Sequence, residues 1–168
     1  MLVEALTALS LLTVGFLGIL TLLSRSTALT RVVSDNYIAT YLAAEGIEII
    51  KNLVDANTIQ ERPWGDGFES LIQPGVGESP RQYEVDYKDE DLGSLRDFIP
   101  PGEFLNLDSM TRTYSYGTGS PTPFRRIVTV IFPNDDEMQV ISDVSWTTRG
   151  GNLSKVRVED HFYNWRPQ

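Results

Sequence analysis

Residues 1–26 read MLVEALTALSLLTVGFLGILTLLSRS and hold the longest uncharged run of the chain. Nineteen consecutive residues, Ala5 to Leu23, carry no charge. Wound as a helix at ~1.5 Å of rise per residue, that run is ~28 Å long, close to the thickness of a bilayer's hydrocarbon core. Glu4 stands at its head, and the first basic residue, Arg25, follows its end. Three roles compete for such a segment. A cleavable secretory signal should open with Lys or Arg and close on a small-residue cleavage site, and neither is present. A single-pass anchor fits the length. The third role is a helix that sits first in a membrane and later in the packed core of a fibre. Glu4 favours the third, because a carboxylate at the start of an apolar helix is costly unless paired. The N-terminal amine of a neighbouring subunit would be a suitable partner.

The stretch MLVEALTALSLLTVGFLGILTLLSR, with its E-A-L-x-A-x-x-L-L-x-V-G pattern and the amphipathic helix after it, resembles the N-terminus of a mature type IV pilin. The resemblance covers the N-terminal third. It implies processing by a prepilin peptidase, which cuts after a Gly and leaves a first residue, usually Phe, that becomes N-methylated. It also implies a Glu at the fifth mature position. Glu4 is one place early, which leads us to expect one modified residue ahead of Met1 and a leader already removed. The residues placed in the filament core on this resemblance are Leu2, Leu6, Leu9, Leu12, Val14, Phe16 and Leu20, with Glu4 pairing to a neighbouring N-terminus. Implied partners are other copies of the chain in a helical homopolymer, the prepilin peptidase, the pilus assembly machinery and the membrane before assembly. The implied location is the inner or cytoplasmic membrane for the precursor and an extracellular pilus once assembled. The C-terminal V-E-D-H-F-Y-N-W-R also resembles the minor, PilV-like branch, so minor pilin and type II secretion pseudopilin stay open beside the main subunit. A membrane-anchored extracellular binding module is the alternative of another class.

The apolar run continues into a helix expected over residues 1–57, ~85 Å if straight. Gly15 and Gly18 lie inside it, each weakening a helix by ~1 kcal/mol relative to Ala. Close helix packing in a membrane is one reading of this pair. The other is a segment that melts as subunits pass from bilayer to filament. Pilins have an unwound segment near this depth, often with a Pro that this chain lacks, and we expect a local break between Thr13 and Gly18. Beyond Arg25 the helix turns amphipathic. Ile38, Leu42, Ile49, Ile50, Leu53 and Val54 recur at three- and four-residue steps, with Ala39, Ala43 and Gly46 between them. Arg31, Asp35, Glu45, Glu48, Lys51 and Asp55 fall largely elsewhere, Glu48 and Lys51 are spaced to pair, and Glu45 with Glu48 reads as a solvated face.

From residue 58 to 82 the composition turns to Gly, Pro and acids, a connecting loop that Trp64, Phe68 and Leu71 should pin to the domain. Strand candidates follow at Tyr83–Tyr87, Phe104–Leu107, Thr113–Tyr116, Phe124–Phe132, Glu137–Thr147 and Ser154–Tyr163. Turns are expected at Pro133–Asp136 and Arg149–Asn152. The last three strands should form an antiparallel meander whose inner face packs on the second half of the helix. This is an α+β arrangement, the ladle fold of pilins, with 1–25 as core helix, 26–57 as its amphipathic continuation and 58–168 as a β head.

The chain has 168 residues, a formal net charge of −9 and no Cys. That charge disfavours general nucleic-acid binding, and the absence of Cys removes disulfides, thiol nucleophiles and cysteine metal sites. Many pilins close their C-terminal region with a disulfide, which packing must replace here. No G-x-S-x-G, P-loop or H-E-x-x-H occurs, so no enzyme and no cofactor is implied. His161 reads as structural. Asp86, Asp89, Glu90 and Asp91 fail an EF-hand register, since Gly93 and Pro100 stand where acids are needed, and leave only a loose calcium reading. Asn134–Glu137 reads as a solvated hairpin turn, Asn152-Leu153-Ser154 matches a glycosylation sequon, and Tyr114, Tyr116, Tyr163 and Trp165 read as core or rim packing.

Overall fold

The computed structural model describes residues 1–68, 80–89, 91 and 93–165. Two compact units divide at Tyr37 and Ile38, and the boundary falls inside one helix, α1, Leu2–Ile59. Leu71 of the connecting loop and Glu90 of the acidic group lie outside the described residues.

In the first unit, α1 runs unbroken through Thr13–Gly18, against the expected break. No Pro removes a donor there, and the polar side chains reinforce the backbone. Thr7, Ser10 and Thr13 donate their hydroxyls to the carbonyls of Glu4, Thr7 and Ser10 at 2.8–2.9 Å, and Thr21 donates to Leu17 at 2.8 Å. An added Cβ at Gly15 or Gly18 would meet nothing within 4 Å.

The second unit holds the rest of α1 and the sheets. The helix ends where Glu61 turns to φ 56°: the Arg62 N–H bonds the Asn57 carbonyl, the Glu61 N–H bonds that of Thr58, and Pro63 follows. This is a Schellman closure with a non-Gly residue in the left-handed position. Asn57 is buried and donates its amide to the carbonyls of Trp64 and Asp66, tying the helix exit to the next turn.

The strands are β1 Arg81–Glu84, β2 Arg96–Asp97, β3 Asn106–Leu107, β4 Tyr114–Ser115, β5 Ser120–Pro121, β6 Phe124–Asn134, β7 Glu137–Thr147 and β8 Leu153–Tyr163. A five-stranded antiparallel sheet has the order β2-β1-β6-β7-β8, and β4-β3-β5 form a small second sheet. The expected meander is β6-β7-β8. The fold is therefore α+β, with the helix packed by its second half on an antiparallel sheet. The first turn of the meander is shorter than expected: β6 continues through Pro133 to Asn134, and Asp135–Asp136 alone close the hairpin. A register shift between Ile131 and Asn134 accommodates Pro133, which has no N–H for the ladder. β1 stops at Glu84 rather than Tyr87 because the Val85 carbonyl is taken by the Arg126 side chain. β2 and β5 were not among the strand candidates.

Alternation along β6 points Phe124, Arg126, Val128, Val130 and Phe132 at the helix. One cluster joins Ile47, Ile50, Leu53 and Val54 to Val128, Val130, Met138 and Val140, and a second joins Ala39, Leu42 and Ala43 to Leu105, Phe124, Val144 and Trp146. Each fully buried large side chain contributes ~1.5–3 kcal/mol. Phe68 is buried and Trp64 packs edge-on to Phe132 with centroids 6.2 Å apart, so both pin the loop as expected.

Helix and sheet approach most closely at Gly46. A Cβ there would lie 2.6 Å from Ser142 Oγ, 3.0 Å from Val128 Cγ2 and 3.1 Å from Arg126 Cδ. Ser142 Oγ is itself buried with no hydrogen-bond partner among the described residues. Gly46→Ala is expected to lower stability by about 1–3 kcal/mol through overpacking. Ser142→Ala in the same chain should recover part of that loss, because it removes both the nearest clashing atom and an unsatisfied hydroxyl. Denaturant titration of the single and double variants checks this, and additive losses would contradict the contact.

Candidate assembly interface

The first unit presents an apolar surface with no cover of its own. Leu2, Leu6, Leu9, Leu12, Val14, Phe16 and Leu20 are all exposed, from 44% for Leu20 to 77% for Leu2. The best 18-residue window of α1 has a mean hydropathy of 2.2 and none of it is buried. By length and composition this helix can cross a membrane, a test that soluble core helices and signal sequences also pass. The hydroxyls of Thr7, Ser10, Thr13 and Thr21 bond backbone carbonyls one turn back, so they place no unmet donor on that surface. Glu4 lies in the first turn, where the helix dipole favours a carboxylate. Its Oε2 is 3.9 Å from the Met1 ammonium, with both groups exposed, an arrangement worth little in water.

In the second unit several buried polar groups are committed to structure. Arg126 is fully buried. Its Nη1 donates to the Leu42 carbonyl at 2.9 Å and to Glu45 Oε2 at 2.7 Å, while Nε and Nη2 donate to the Val85 carbonyl. Glu45 is therefore not part of a solvated face, contrary to expectation: it neutralises a buried guanidinium. Glu48 is exposed, and its expected pair with Lys51 does not form. Tyr116 donates its hydroxyl to the Arg126 carbonyl at 3.1 Å, and burial pushes its phenol well above the ordinary range. Arg96 stacks over the Tyr116 ring at 4.3 Å and contacts Glu84 and Glu103.

The acidic loop is built for turns. Asp86 is buried and accepts the backbone N–H groups of Lys88 and Tyr116, Asp89 accepts that of Asp86, and Asp91 accepts that of Ser94. Among the described residues no group of three or more His, Asp or Glu side chains is placed to hold a metal ion. Burial is the largest influence on Asp89 and raises its carboxyl. Asp143 on β7 is pushed up by burial, but hydrogen bonds from Arg157 and Lys155 outweigh that and leave it below the usual range. Tyr114 packs edge-on to Phe124, whereas Tyr163 and Trp165 are 60% and 73% exposed. Asn152 is exposed in the turn closed by Thr148, and Leu153 is exposed as the first residue of β8.

His161 sits between two carboxylates, with Nδ1 2.7 Å from Glu137 Oε1 and Nε2 3.2 Å from Glu159 Oε1. The hydrogen bond to Glu137 and then that to Glu159 raise the imidazole above its ordinary value. Glu137 and Glu159 are lowered, Glu137 chiefly by His161 and Glu159 chiefly by Gln139.

Comparison with family models, with curated proteins and with solved structures gives no match.

Two outcomes are expected. Glu45→Ala strands the Arg126 charge and should cost about 2–4 kcal/mol in denaturant unfolding, against under about 0.5 kcal/mol for Glu48→Ala. The raised His161 contributes stability that is fully present below its unfolded value of about 6.5 and lost as pH rises through the folded value. The lowered glutamates contribute above their unfolded value of about 4.3 and lose it as pH falls further. The cluster should therefore stabilise most between these limits. A His161→Gln chain should lack the alkaline decline in melting temperature that the parent shows above about pH 6.5.

Proposed function

We propose that this chain is a filament subunit of the type IV pilin superfamily, polymerising through its N-terminal helix. One observation carries the reading: a charge-free helical surface from Ala5 to Leu23, exposed throughout and headed by Glu4, continues without interruption into a helix whose second half docks on an antiparallel sheet. A plain anchor needs neither the acid at its head nor the docked continuation.

On this reading the apolar helix holds the precursor in the inner or cytoplasmic membrane until a prepilin peptidase and assembly machinery act on it. Extraction from lipid would expose the Leu2–Leu20 surface to water. Neighbouring helices in an extracellular fibre remove it again, at ~25 cal/mol per Å² of apolar area. Glu4 offsets its own desolvation by pairing with the N-terminal amine of an adjacent subunit during docking. Adhesion, motility or DNA uptake are the tasks such a fibre serves through its β heads. A minor pilin or a type II secretion pseudopilin is the nearest second reading, supported by the V-E-D-H-F-Y-N-W-R terminus.

Electron microscopy of sheared surface material, with intact mass on the same sample, tests the proposal. Thin fibres made of this chain with a methylated N-terminus are expected. The Glu4→Ala chain should reach the membrane but fail to assemble, because breaking a buried pair of this kind costs ~3–5 kcal/mol. Wild-type amounts of fibre from that variant would remove the pairing step. A chain confined to the membrane fraction, with no fibre, would overturn the reading in favour of a simple anchor.

A further inference from the structure

The charge of the second unit is divided between the two ends of its main sheet. At the end where β6 begins, Arg125, Ser145 and Lys155 stand opposite one another across β6, β7 and β8, and Asp143 stands opposite Arg157 on the same face. Asp143 serves both Lys155 and Arg157. Arg125 has no carboxylate partner among the described residues. Its guanidinium stacks on the Phe104 ring at 4.0 Å, Nη1 reaches only the Pro101 carbonyl at 3.5 Å, and Nε is buried without a hydrogen bond. Arg149 is exposed in the adjoining turn, and its side chain has no partner among the described residues. Arg96, Glu84 and Glu103, the other charged groups on this side, bind one another. Cations therefore outnumber carboxylates here, in a chain whose formal net charge is −9.

From Arg125 to Asn134, at ~3.3 Å of rise per residue, β6 runs ~30 Å to the opposite end. There Asp135, Asp136, Glu137, Glu159 and Asp160 stand against one imidazole, His161, which Glu137 and Glu159 hold between them. The helix exit adds Asp55, Glu61 and Asp66, against Lys51, Arg62 and, at the start of β1, Arg81. Acids outnumber bases at this end even with His161 protonated. A guanidinium stacked on a ring is held in place and still presents N–H groups along its edge, the geometry that takes a carboxylate. The carboxylates that answer it are on the same chain, too far away to reach it within one molecule. Between copies, like ends repel and unlike ends attract, so the charge disfavours a two-fold contact and favours a head-to-tail one. A head-to-tail contact repeats, and where it does not close on itself it builds an open polymer.

We propose that the second units of successive copies meet end to end, with the Arg125, Arg149 and Lys155 end of one against the Asp135–Asp136 turn of the next. As an account of contacts in a fibre this rests on the filament reading above. The contact itself lies wholly between second units and needs no fibre.

The test uses the full chain in a nonionic detergent, which covers the apolar helix. Association is followed by sedimentation at about 10 mM and about 1 M salt, where charges are screened over about 30 Å and about 3 Å. The parent should associate at low salt and become monomeric at high salt. Arg125→Gln with Arg149→Glu should weaken the low-salt association about tenfold, and so should Asp135→Lys with Asp136→Lys. An equal mixture of these two double variants should associate again, because each supplies the intact end that the other lacks. Arg149→Glu with Lys155→Gln, both at exposed positions, should act in the same direction and covers the case that half-buried Arg125 is needed for folding. Asp97→Asn, on the β2 edge, should associate as the parent does, which separates the contact from the chain's general acidity. Glu4→Ala should do so too, so failure to polymerise and failure of this contact are distinguishable. A parent that is monomeric at low salt, association indifferent to salt, or a mixture that stays monomeric would overturn the proposal.

Discussion

The fold of the second unit turns on a single buried guanidinium. Taking Arg126 out of water carries a penalty of several kcal/mol, which is tolerable only with its nitrogens hydrogen-bonded and its charge paired. The answers come from distant parts of the chain: the Leu42 carbonyl and Glu45 carboxylate on the helix, and the Val85 carbonyl just past β1. Because Leu42 and Glu45 sit one turn apart on one face, the helix has one rotation about its axis that satisfies them together. The same contact ends a strand, since a carbonyl engaged by Arg126 is withdrawn from the ladder. Apolar packing alone would leave the helix freer to roll or slide on a surface of Val and Ile.

The small residues Ala39, Ala43 and Gly46 follow from that constraint. A guanidinium reaching a helix carbonyl needs the backbone of α1 close to the sheet, and Gly46 occupies the point where a methyl would not fit. Tyr116 then covers the strand side of Arg126 through its hydroxyl. Distance, rotation and strand ending are thus coupled through one side chain, with the two apolar clusters packed around it.

How legible this was depended on the kind of interaction. Periodicity located α1 and the β6-β7-β8 meander well, because long elements impose a repeated burial pattern. It failed at short pieces such as β2 and β5, two residues each, where pairing follows from what lies opposite. The Glu45–Arg126 pair was missed although its signal was present: alternation in F-R-R-I-V-T-V-I-F places Arg126 in phase with Phe124, Val128 and Val130. Reading Glu45 as solvated came from treating charge as a surface marker without asking what a charge in an inward strand position would need. For the N-terminal half of α1 the helix and its apolar surface were plain in the sequence, since length and the absence of charge are linear features. The concave surface between the helix exit, the Asp135–Asp136 turn and the end of β8 was not foreseen, because its walls come from segments about a hundred residues apart in sequence.

The main sheet has two edges of unequal length. β2 offers two residues, whereas β8 offers eleven with one side of its backbone unpaired by any strand among the described residues. An edge that long is a template onto which another chain can add. Here Lys155, Arg157, Glu159 and His161 stand at alternate positions along it, each already held by a carboxylate or an imidazole neighbour. An incoming strand would have to lie beside this row of fixed, hydrated charges and give up part of their solvation. Molecules crowded together therefore gain little by extending their sheets into one another, and association is steered away from the amyloid-like route.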